Sequence, residues 1–358
     1  MTTFTANPIP ILVGKPNPFV VGYWLLIMCA MVLVMVILGG VTRLTHSGLS
    51  IVIWEPITGW LPPLTIDEWQ HVFLLYKETP EFKKINYDMG LDDFKSIFWL
   101  EYLHRLWGRI IGITFLLPFF YFLLRGWISR SLASKLIFIF MLGMAQGVLG
   151  WFMVQSGLSD RPDVSQYRLT AHLAVAIILY AYLFWIALGE LYDQTMEKSI
   201  ISPNLRRLAV ANFLWLFFTM LAGGLVAGLD AGFTYNTFPL MDGKLIPDGL
   251  FENSPVYINF FENIITVQFA HRLMAIVSVV LVVSLWWRAC KEMTSIPTLL
   301  PFHVLVTLVL LQFVLGVMTL LFVVPTHLAA LHQVTAFLSL TAGLWALHSL
   351  GNRREITI

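Results

Sequence analysis

The sequence is poor in charged residues. Only 12% of its 358 residues are Asp, Glu, Lys or Arg, which is about half of the fraction usual in soluble domains. Hydrophobic residues make up 58%, and the mean hydropathy is +0.77. These values exclude a soluble globular protein. The formal net charge of +1 leaves no basic surface of the kind that binds nucleic acid, so we expect no nucleic-acid partner.

Cysteine is also scarce. The chain has two cysteines, Cys29 and Cys290, which lie inside or at the end of apolar runs. They form no Cys-x-x-Cys pair, so neither a disulfide framework nor a cysteine-rich metal site is supported. In such a chain the function has to be inferred from the polar residues that the apolar runs contain.

Eight apolar runs are long enough to cross a lipid bilayer as helices, which requires about 20 residues each. Together they predict an all-α polytopic membrane protein. The runs lie near residues 20–41, 97–124, 136–155, 169–191, 208–228, 263–287, 299–323 and 329–350.

Basic residues predict the orientation of these spans, because cytoplasmic loops are enriched in Lys and Arg. If both termini are cytoplasmic, the inner segments hold half of the 22 basic residues and only five of the 21 acidic ones. We therefore expect an inner-membrane protein whose two long loops, 42–96 and 229–262, face the periplasm. Within the first loop, the spacing of residues 65–85 predicts a short amphipathic helix on the membrane surface.

The two halves of the chain repeat each other. Each match falls in the corresponding span of its half, and both halves start from the same side of the membrane. We therefore expect two pseudo-symmetric four-helix bundles, residues 1–196 and 197–358, related by an axis along the membrane normal. The matches are Gly39-Gly40 with Gly223-Gly224, His104-Arg105 with His271-Arg272, Gln146-x-x-x-Gly150 with Gln312-x-x-x-Gly316, and His172 with His332.

The repeat singles out four of the nine histidines: His104, His172, His271 and His332. An ionisable side chain within a span is costly and normally faces a bundle interior, although a hydrogen bond to a neighbouring helix would also explain a histidine there. Two imidazoles from facing helices of a bundle suit a haem iron, whereas zinc would require further ligands. The residue four positions later is small in every case, which clears the same helix face: Gly108, Ala176, Ala275 and Ala336.

Three arginines lie close to these histidines in the sequence: Arg105, Arg109 and Arg272. Their guanidinium groups could pair with haem propionates, or could reach the lipid headgroups instead. Among the other histidines, we keep His327, which borders the eighth span, as a reserve candidate.

The two halves differ at one position beside these histidines. Glu101 precedes His104 by three residues and shares its helix face, and its counterpart in the second half is Gln268. A carboxylate can take part in proton transfer and a neutral amide cannot. We therefore expect the reaction site in the N-terminal half and an electron-transfer site in the C-terminal half. Alternatively, Glu101 is a structural partner of Arg105 or of a neighbouring helix.

The set of motifs resembles the haem A synthase family, in the form found in alphaproteobacteria and mitochondria. The resemblance covers essentially the whole chain. Members of this family oxidise the C8 methyl group of haem O to a formyl group, giving haem A for terminal oxidases, and the resemblance implies that oxidoreductase activity here. It rests on eight spans in two repeats and on Glu101-x-x-His104-Arg105, Gln146-x-x-x-Gly150, His172, Gln268-x-x-His271-Arg272 and His332.

The resemblance also implies a role for each half. It assigns a haem b cofactor to His271 and His332, and the haem O substrate to His104 and His172, with Glu101 important for turnover. Another branch of the family has a cysteine pair in the first outer loop, and loop 42–96 has none, so a mechanism based on that pair cannot operate here. Haem O synthase and an unidentified electron acceptor are candidate partners, although no residue points to either.

Two other functions remain open at this point. A diheme b-type membrane electron-transfer protein would hold both haems permanently and leave the porphyrin unchanged, which the Glu101/Gln268 difference argues against. A haem carrier or assembly factor would release its haem and tolerate replacement of Glu101.

Overall fold

A computed structural model describes residues 18–55, 58–158, 164–192 and 202–350 of the chain. Within these ranges the only regular elements are helices, so the all-α prediction is confirmed. The α-helices are α1 (Pro18–Leu44), α2 (Ile66–Lys77), α3 (Pro80–Lys84), α4 (Leu91–Leu124), α5 (Arg130–Gly157), α6 (Gln166–Tyr192), α7 (Pro203–Gly228), α8 (Asn259–Glu262), α9 (Ile264–Glu292), α10 (Ile296–Leu321) and α11 (Thr326–Ser349).

Eight of these helices are long and apolar enough to cross a membrane: α1, α4, α5, α6, α7, α9, α10 and α11. Each coincides with one of the predicted spans, so the eight-span prediction is confirmed. Several helices extend beyond their apolar run. For example, α4 begins at Leu91 rather than near 97, because its polar first turns pack beneath the outer loop instead of facing lipid.

The spanning helices form two bundles of four, as the repeat predicts. In the first bundle α1 packs against α4 and α6, and α5 against α6; in the second, α7 packs against α9 and α11, and α10 against α9 and α11. The bundles join through α6 with α7 and α1 with α11, which are equivalent pairs under the repeat. The expected boundary between residues 196 and 197 lies outside the described residues.

A pair of tryptophan hydrogen bonds shows how closely the bundles correspond. Trp107 of α4 donates its indole N–H to the carbonyl of Met31 in α1 at 2.9 Å. Trp215 of α7 donates to the carbonyl of Met274 in α9 at 3.1 Å. The repeat aligns Trp215 with Met31 and Met274 with Trp107, so the same helix contact is made with donor and acceptor helices exchanged.

The buried apolar core lies at the end of both bundles remote from the two long loops. It includes Leu25, Phe119, Leu183, Leu285 and Phe302, and it runs through both halves without a break. The loop-proximal ends of the bundles hold instead the polar residues that the sequence singled out. Packing therefore anchors one end of each bundle and leaves the other for a ligand.

The surface helix predicted over residues 65–85 is in fact two helices, so the single-helix prediction is wrong. The hydroxyl of Thr65 caps α2 by accepting from the backbone N–H of Glu68, and Thr79 caps α3. Pro80 stands at the first position of α3, where a proline starts a new helix and cannot continue the old one. Phe73 and Tyr76 of α2 pack over the outer turns of α4, against Phe94, Phe98 and Tyr102, and Phe82 of α3 packs against the same cluster.

Candidate functional site

The four repeated histidines lie in the loop-proximal parts of their helices, two in each bundle. His104 of α4 and His172 of α6 belong to the first bundle, and His271 of α9 and His332 of α11 belong to the second. In all four side chains Nδ1 is buried and has no hydrogen-bond partner, while each residue keeps intermediate exposure. Each bundle thus contains a pair of imidazoles with an unused nitrogen.

Every one of these imidazoles lies against a glycine of the preceding spanning helix. A Cβ added to the glycine would come within 3.6 Å of Cε1 of the ring at Gly150 and within 3.1 Å at Gly223. At Gly39, Gly223 and Gly316 the lack of a side chain lets a helix backbone approach the edge of an imidazole. The four pairs are Gly39 with His104, Gly150 with His172, Gly223 with His271 and Gly316 with His332.

The repeated glutamines contact the same histidines. Gln146 donates its amide to the carbonyl of His172 at 3.0 Å, and the amide of Gln312 lies 3.3 Å from Nε2 of His332. The glutamine and the glycine of each Gln-x-x-x-Gly motif therefore contact the same histidine residue, since residues four apart share a helix face.

These residues fit a haem at each histidine pair. A buried ring nitrogen without a partner is unfavourable unless a further group binds it, and neutral imidazole is a common iron ligand. The small residues Gly108, Ala176, Ala275 and Ala336 are partly exposed rather than fully packed. No cluster of three or more His, Cys, Asp or Glu side chains occurs in the described part of the chain, so a zinc-type ligand set is not formed there.

Arg105 and Arg272 fasten the outer loops to their bundles. Arg105 donates to the carbonyls of Ile51 (2.8 Å) and Ile53 (3.1 Å). Arg272 donates to the carbonyls of Tyr235 (2.7 Å) and Thr237 (2.8 Å). Tyr235 and Thr237 follow Gly223 by the same spacing as Ile51 and Ile53 follow Gly39, so the repeat continues into the loops.

Glu101 is buried, with 3% of its surface exposed, and both of its oxygens are engaged. Oε2 accepts from the hydroxyl of Ser50 and the backbone N–H of Ile51, both at 2.8 Å. Oε1 accepts from Nε and Nη2 of Arg105 at 3.0 and 2.5 Å. The carboxylate therefore neutralises Arg105 and holds the start of the first outer loop.

Gln268, the counterpart of Glu101, makes fewer bonds. Its amide donates to the carbonyl of Tyr235 at 3.1 Å, and its Oε1 is buried without a partner. Nε of Arg272 is likewise buried without a partner, and Arg272 forms no ion pair with any described carboxylate. Within the part of the chain that the structure describes, Arg272 of the second bundle is thus a cationic group without a neutralising partner.

The first outer loop covers the outer end of α4. Arg109 donates to the carbonyl of Glu55 at 2.5 Å, and its guanidinium lies 5.9 Å from the ring centre of Trp60. Tyr102 donates its hydroxyl to the carbonyl of Trp60, also at 2.5 Å, and Arg105 stacks on Trp54 at 5.1 Å. These contacts form a fixed lid above the histidine pair of the first bundle.

The remaining membrane-boundary histidines have other contacts. His303 accepts from the indole of Trp286 at 2.9 Å, and His348 is buried edge-on against Trp185 with ring centres 4.8 Å apart. His327 is exposed in the first turn of α11. None of these three joins the two histidine pairs.

Sequence reasoning missed Ser50, Ile51 and the glycine–imidazole contacts. The glycines were visible as repeated motifs, but nothing in their spacing showed that they touch the histidines. The loop carbonyls could not be found by residue type, because any residue supplies a carbonyl.

The chain is similar to known proteins over most of its length. The family model COX15-CtaA, described as cytochrome oxidase assembly protein, matches residues 22–344. A heme A synthase from Nitrosospira multiformis is 48% identical over 92% of this chain and 93% of its own length. One from Paramagnetospirillum magneticum is 49% identical, with 93% and 94% covered, and heme A synthase COX15 from Bos taurus is 44% identical, with 94% and 83% covered.

Proposed function

Because this chain belongs to the cytochrome oxidase assembly protein family COX15-CtaA, we propose that it is a haem A synthase that oxidises the C8 methyl group of haem O to a formyl group. The observation that carries this proposal is the pair of imidazoles in each bundle, with unpartnered buried nitrogens and a glycine against each ring. The relatives that match nearly the whole chain bear the name of that activity.

We assign the haem b cofactor to the second bundle, with His271 and His332 as iron ligands. When bound there, haem b supplies reversible one-electron transfer at its iron. We assign the haem O substrate to the first bundle, with His104 and His172 as ligands. Arg105, Arg109 and Arg272 hold the lids under which the propionate-bearing edges would lie.

The first bundle is also more open between two of its helices, as a site that exchanges substrate and product requires. In that bundle α4 and α5 share few contacts, whereas their counterparts α9 and α10 pack together. A Cβ added to Gly112 of α4 or Gly147 of α5 would meet no atom within 4 Å. The repeat places Val279 and Phe313 at these two positions, and Phe313 packs against Phe238 with ring centres 5.9 Å apart.

Glu101 is the group we propose to accept a proton during the oxidation. Its lone pairs are all engaged in the present arrangement, since a carboxylate offers about four acceptor positions and Glu101 uses four. Of its donors, only the Ser50 hydroxyl can both give and take a proton. We therefore propose that protons reach and leave Glu101 through Ser50, while Arg105 and Ile51 keep the carboxylate in position.

For the membrane orientation we propose cytoplasmic termini and histidine pairs near the periplasmic side of the inner membrane. The distribution of basic residues supports this arrangement. Labelling of single introduced cysteines tests it: a cysteine at exposed position Leu245 should react with an impermeant reagent in intact cells, and one at position Trp287 should not. The reverse pattern would contradict the orientation.

Haem extraction tests the proposed activity. The protein is expressed in a host that makes haem O, purified, and its haems are separated by chromatography with mass detection. We expect haem b together with haem A or its hydroxylated precursor. Haem b alone, with haem O accumulating unchanged in the membranes and an electron acceptor supplied, would favour a diheme electron-transfer protein instead.

Histidine variants assign the two sites in the same experiment. His271→Ala and His332→Ala should remove haem b from the purified protein, and His104→Ala and His172→Ala should retain haem b but yield no haem A. His303→Ala changes a histidine that contacts only Trp286 among the polar groups described here and serves as the control. Retention of haem b in His271→Ala would contradict the assignment of the second bundle.

A further inference from the structure

The two bundles hold their arginines in the same way but balance the charges differently. Arg105 and Arg272 each use both Nη atoms on two loop carbonyls. In the first bundle the Nε atom of Arg105 is bound by Glu101. In the second bundle Nε of Arg272 is buried without a partner, and the residue at the position of Glu101 is the neutral Gln268.

The charges around each site follow from this difference. In the first bundle Glu101 pairs with Arg105, and the guanidinium of Arg109 binds the backbone carbonyl of Glu55. At the corresponding place in the second bundle Arg272 faces no described carboxylate, and the repeat replaces Arg109 by Ile276. The Gln268 amide is neutral whichever way it is turned, so no carboxylate among the described residues compensates the charge of Arg272.

Arg272 is half-buried, and a positive charge removed in part from water is stabilised when an anion binds it. Both haem b and haem O carry propionate groups, and a guanidinium forms strong charge-assisted hydrogen bonds with carboxylates. We propose that the exchange of Glu101 for Gln268 decides which bundle retains its haem. In the second bundle Arg272 is left available for a propionate, so that haem stays; in the first bundle Glu101 occupies the equivalent guanidinium, so that haem can leave.

This inference rests on the proposed haem-binding function, and it explains how one chain can keep a cofactor and release a product from two similar sites. It assigns a retention role to Gln268, which makes no contact requiring a glutamine except its bond to Tyr235. The same inference gives Glu101 a second role, because its carboxylate shields Arg105 from an anionic ligand.

Haem transfer to apomyoglobin measures retention directly. The proteins are purified from a host that makes haem b but no haem O, the ratio of haem to chain is determined, and loss of haem to excess apomyoglobin is followed by absorbance. We expect about one slowly released haem per wild-type chain. Gln268→Glu should release it at least about tenfold faster, because the new carboxylate competes for Arg272. Gln268→Met, which removes the amide without adding charge, should retain haem like the wild type.

The converse variant tests the first bundle independently. Glu101→Gln should raise the haem content from about one towards two per chain, and the added haem should disappear when His172→Ala is combined with it. Equal release from Gln268→Glu and wild type, or equally fast release from Gln268→Met and Gln268→Glu, would overturn the retention role. A wild-type protein that binds no haem in any host would instead overturn the proposed function itself.

Discussion

Gly316 of α10 lies directly against the imidazole of His332 in α11, and a methyl group at position 316 would come 2.8 Å from Cε1 of that ring. No real Cβ is found so close to a neighbouring atom, so an alanine there must displace the ring. The corresponding distance from Gly223 to His271 is 3.1 Å. In the second bundle both imidazoles thus lie so close to the facing helix that a side chain at the glycine would crowd them.

Alanine substitutions at these glycines should reduce haem b binding in the order of the distances. Gly316→Ala should lower the haem b content most, with an overpacking cost of roughly 1–3 kcal/mol, and Gly223→Ala should lower it less. Gly189→Ala is the matched control, because a Cβ there meets nothing within 4 Å. Pyridine haemochrome spectra of the purified proteins provide the measurement. If all three variants bind equal amounts of haem b, the glycines do not position the histidines.

Glu101→Gln should leave the protein folded and loaded with haem b but should abolish formation of haem A, because an amide cannot accept a proton. Ser50→Ala should lower the rate without abolishing it, since water can replace the hydroxyl. Chromatography of the extracted haems gives both results. A wild-type yield of haem A from Glu101→Gln would eliminate the proposed proton-accepting role.

Filling the gap between α4 and α5 should impair substrate exchange. Gly112→Val and Gly147→Phe introduce the residues that the repeat places in the second bundle, and both have open space in the first. We expect haem A formation to fall at least about tenfold while haem b content is unchanged; Gly189→Val is the control. Full activity in the double variant would show that haem O does not enter between these helices.

Tyr76 in α2 makes the stability of the outer loop depend on pH in the alkaline range. Its hydroxyl accepts from Asn86 at 2.7 Å and donates to Glu81 at 3.2 Å, and burial raises its pKa above the usual value near 10. The pKa of Tyr76 is higher in the folded state than in the unfolded state. The neutral hydroxyl therefore stabilises the folded loop fully below about pH 10, and this stabilisation is lost as the pH rises through the folded pKa.

Ultraviolet absorbance of tyrosinate measures this titration. Tyr76→Phe should leave the absorbance change around pH 10 unaltered and remove a component at higher pH. Tyr87→Phe, which changes an exposed tyrosine, is the comparison. Loss of absorbance change around pH 10 in Tyr76→Phe would show that the hydroxyl ionises as if it were exposed.

The spanning helices could be predicted because lipid imposes one requirement on all of them: an apolar run of sufficient length. That requirement does not apply to the outer loop, where the break between α2 and α3 depends on Thr79 and Pro80. Nor does it fix helix ends, since the first turns of α4 are covered by Phe73 and Tyr76 rather than by lipid.

The site was predictable as far as it depends on residue type. The four histidines and the Glu101/Gln268 difference could be found because the repeat preserves or exchanges a recognisable side chain. The bonds from Arg105 to Ile51 and Ile53 could not, because the acceptors are backbone carbonyls. The engagement of all of Glu101's lone pairs was likewise hidden, since it depends on how the loop folds back over α4.

Each repeated glycine pair serves two neighbours at once. Gly39 faces His104, while a Cβ on Gly40 would overlap the side chain of Gln333, whose amide donates to the carbonyl of Val36 at 2.9 Å and which follows His332 directly. Helix α1 therefore lies between the histidine site of the first bundle and that of the second. A tilt of α1 that enlarges one site narrows the other, so the volumes available to the two ligands depend on each other.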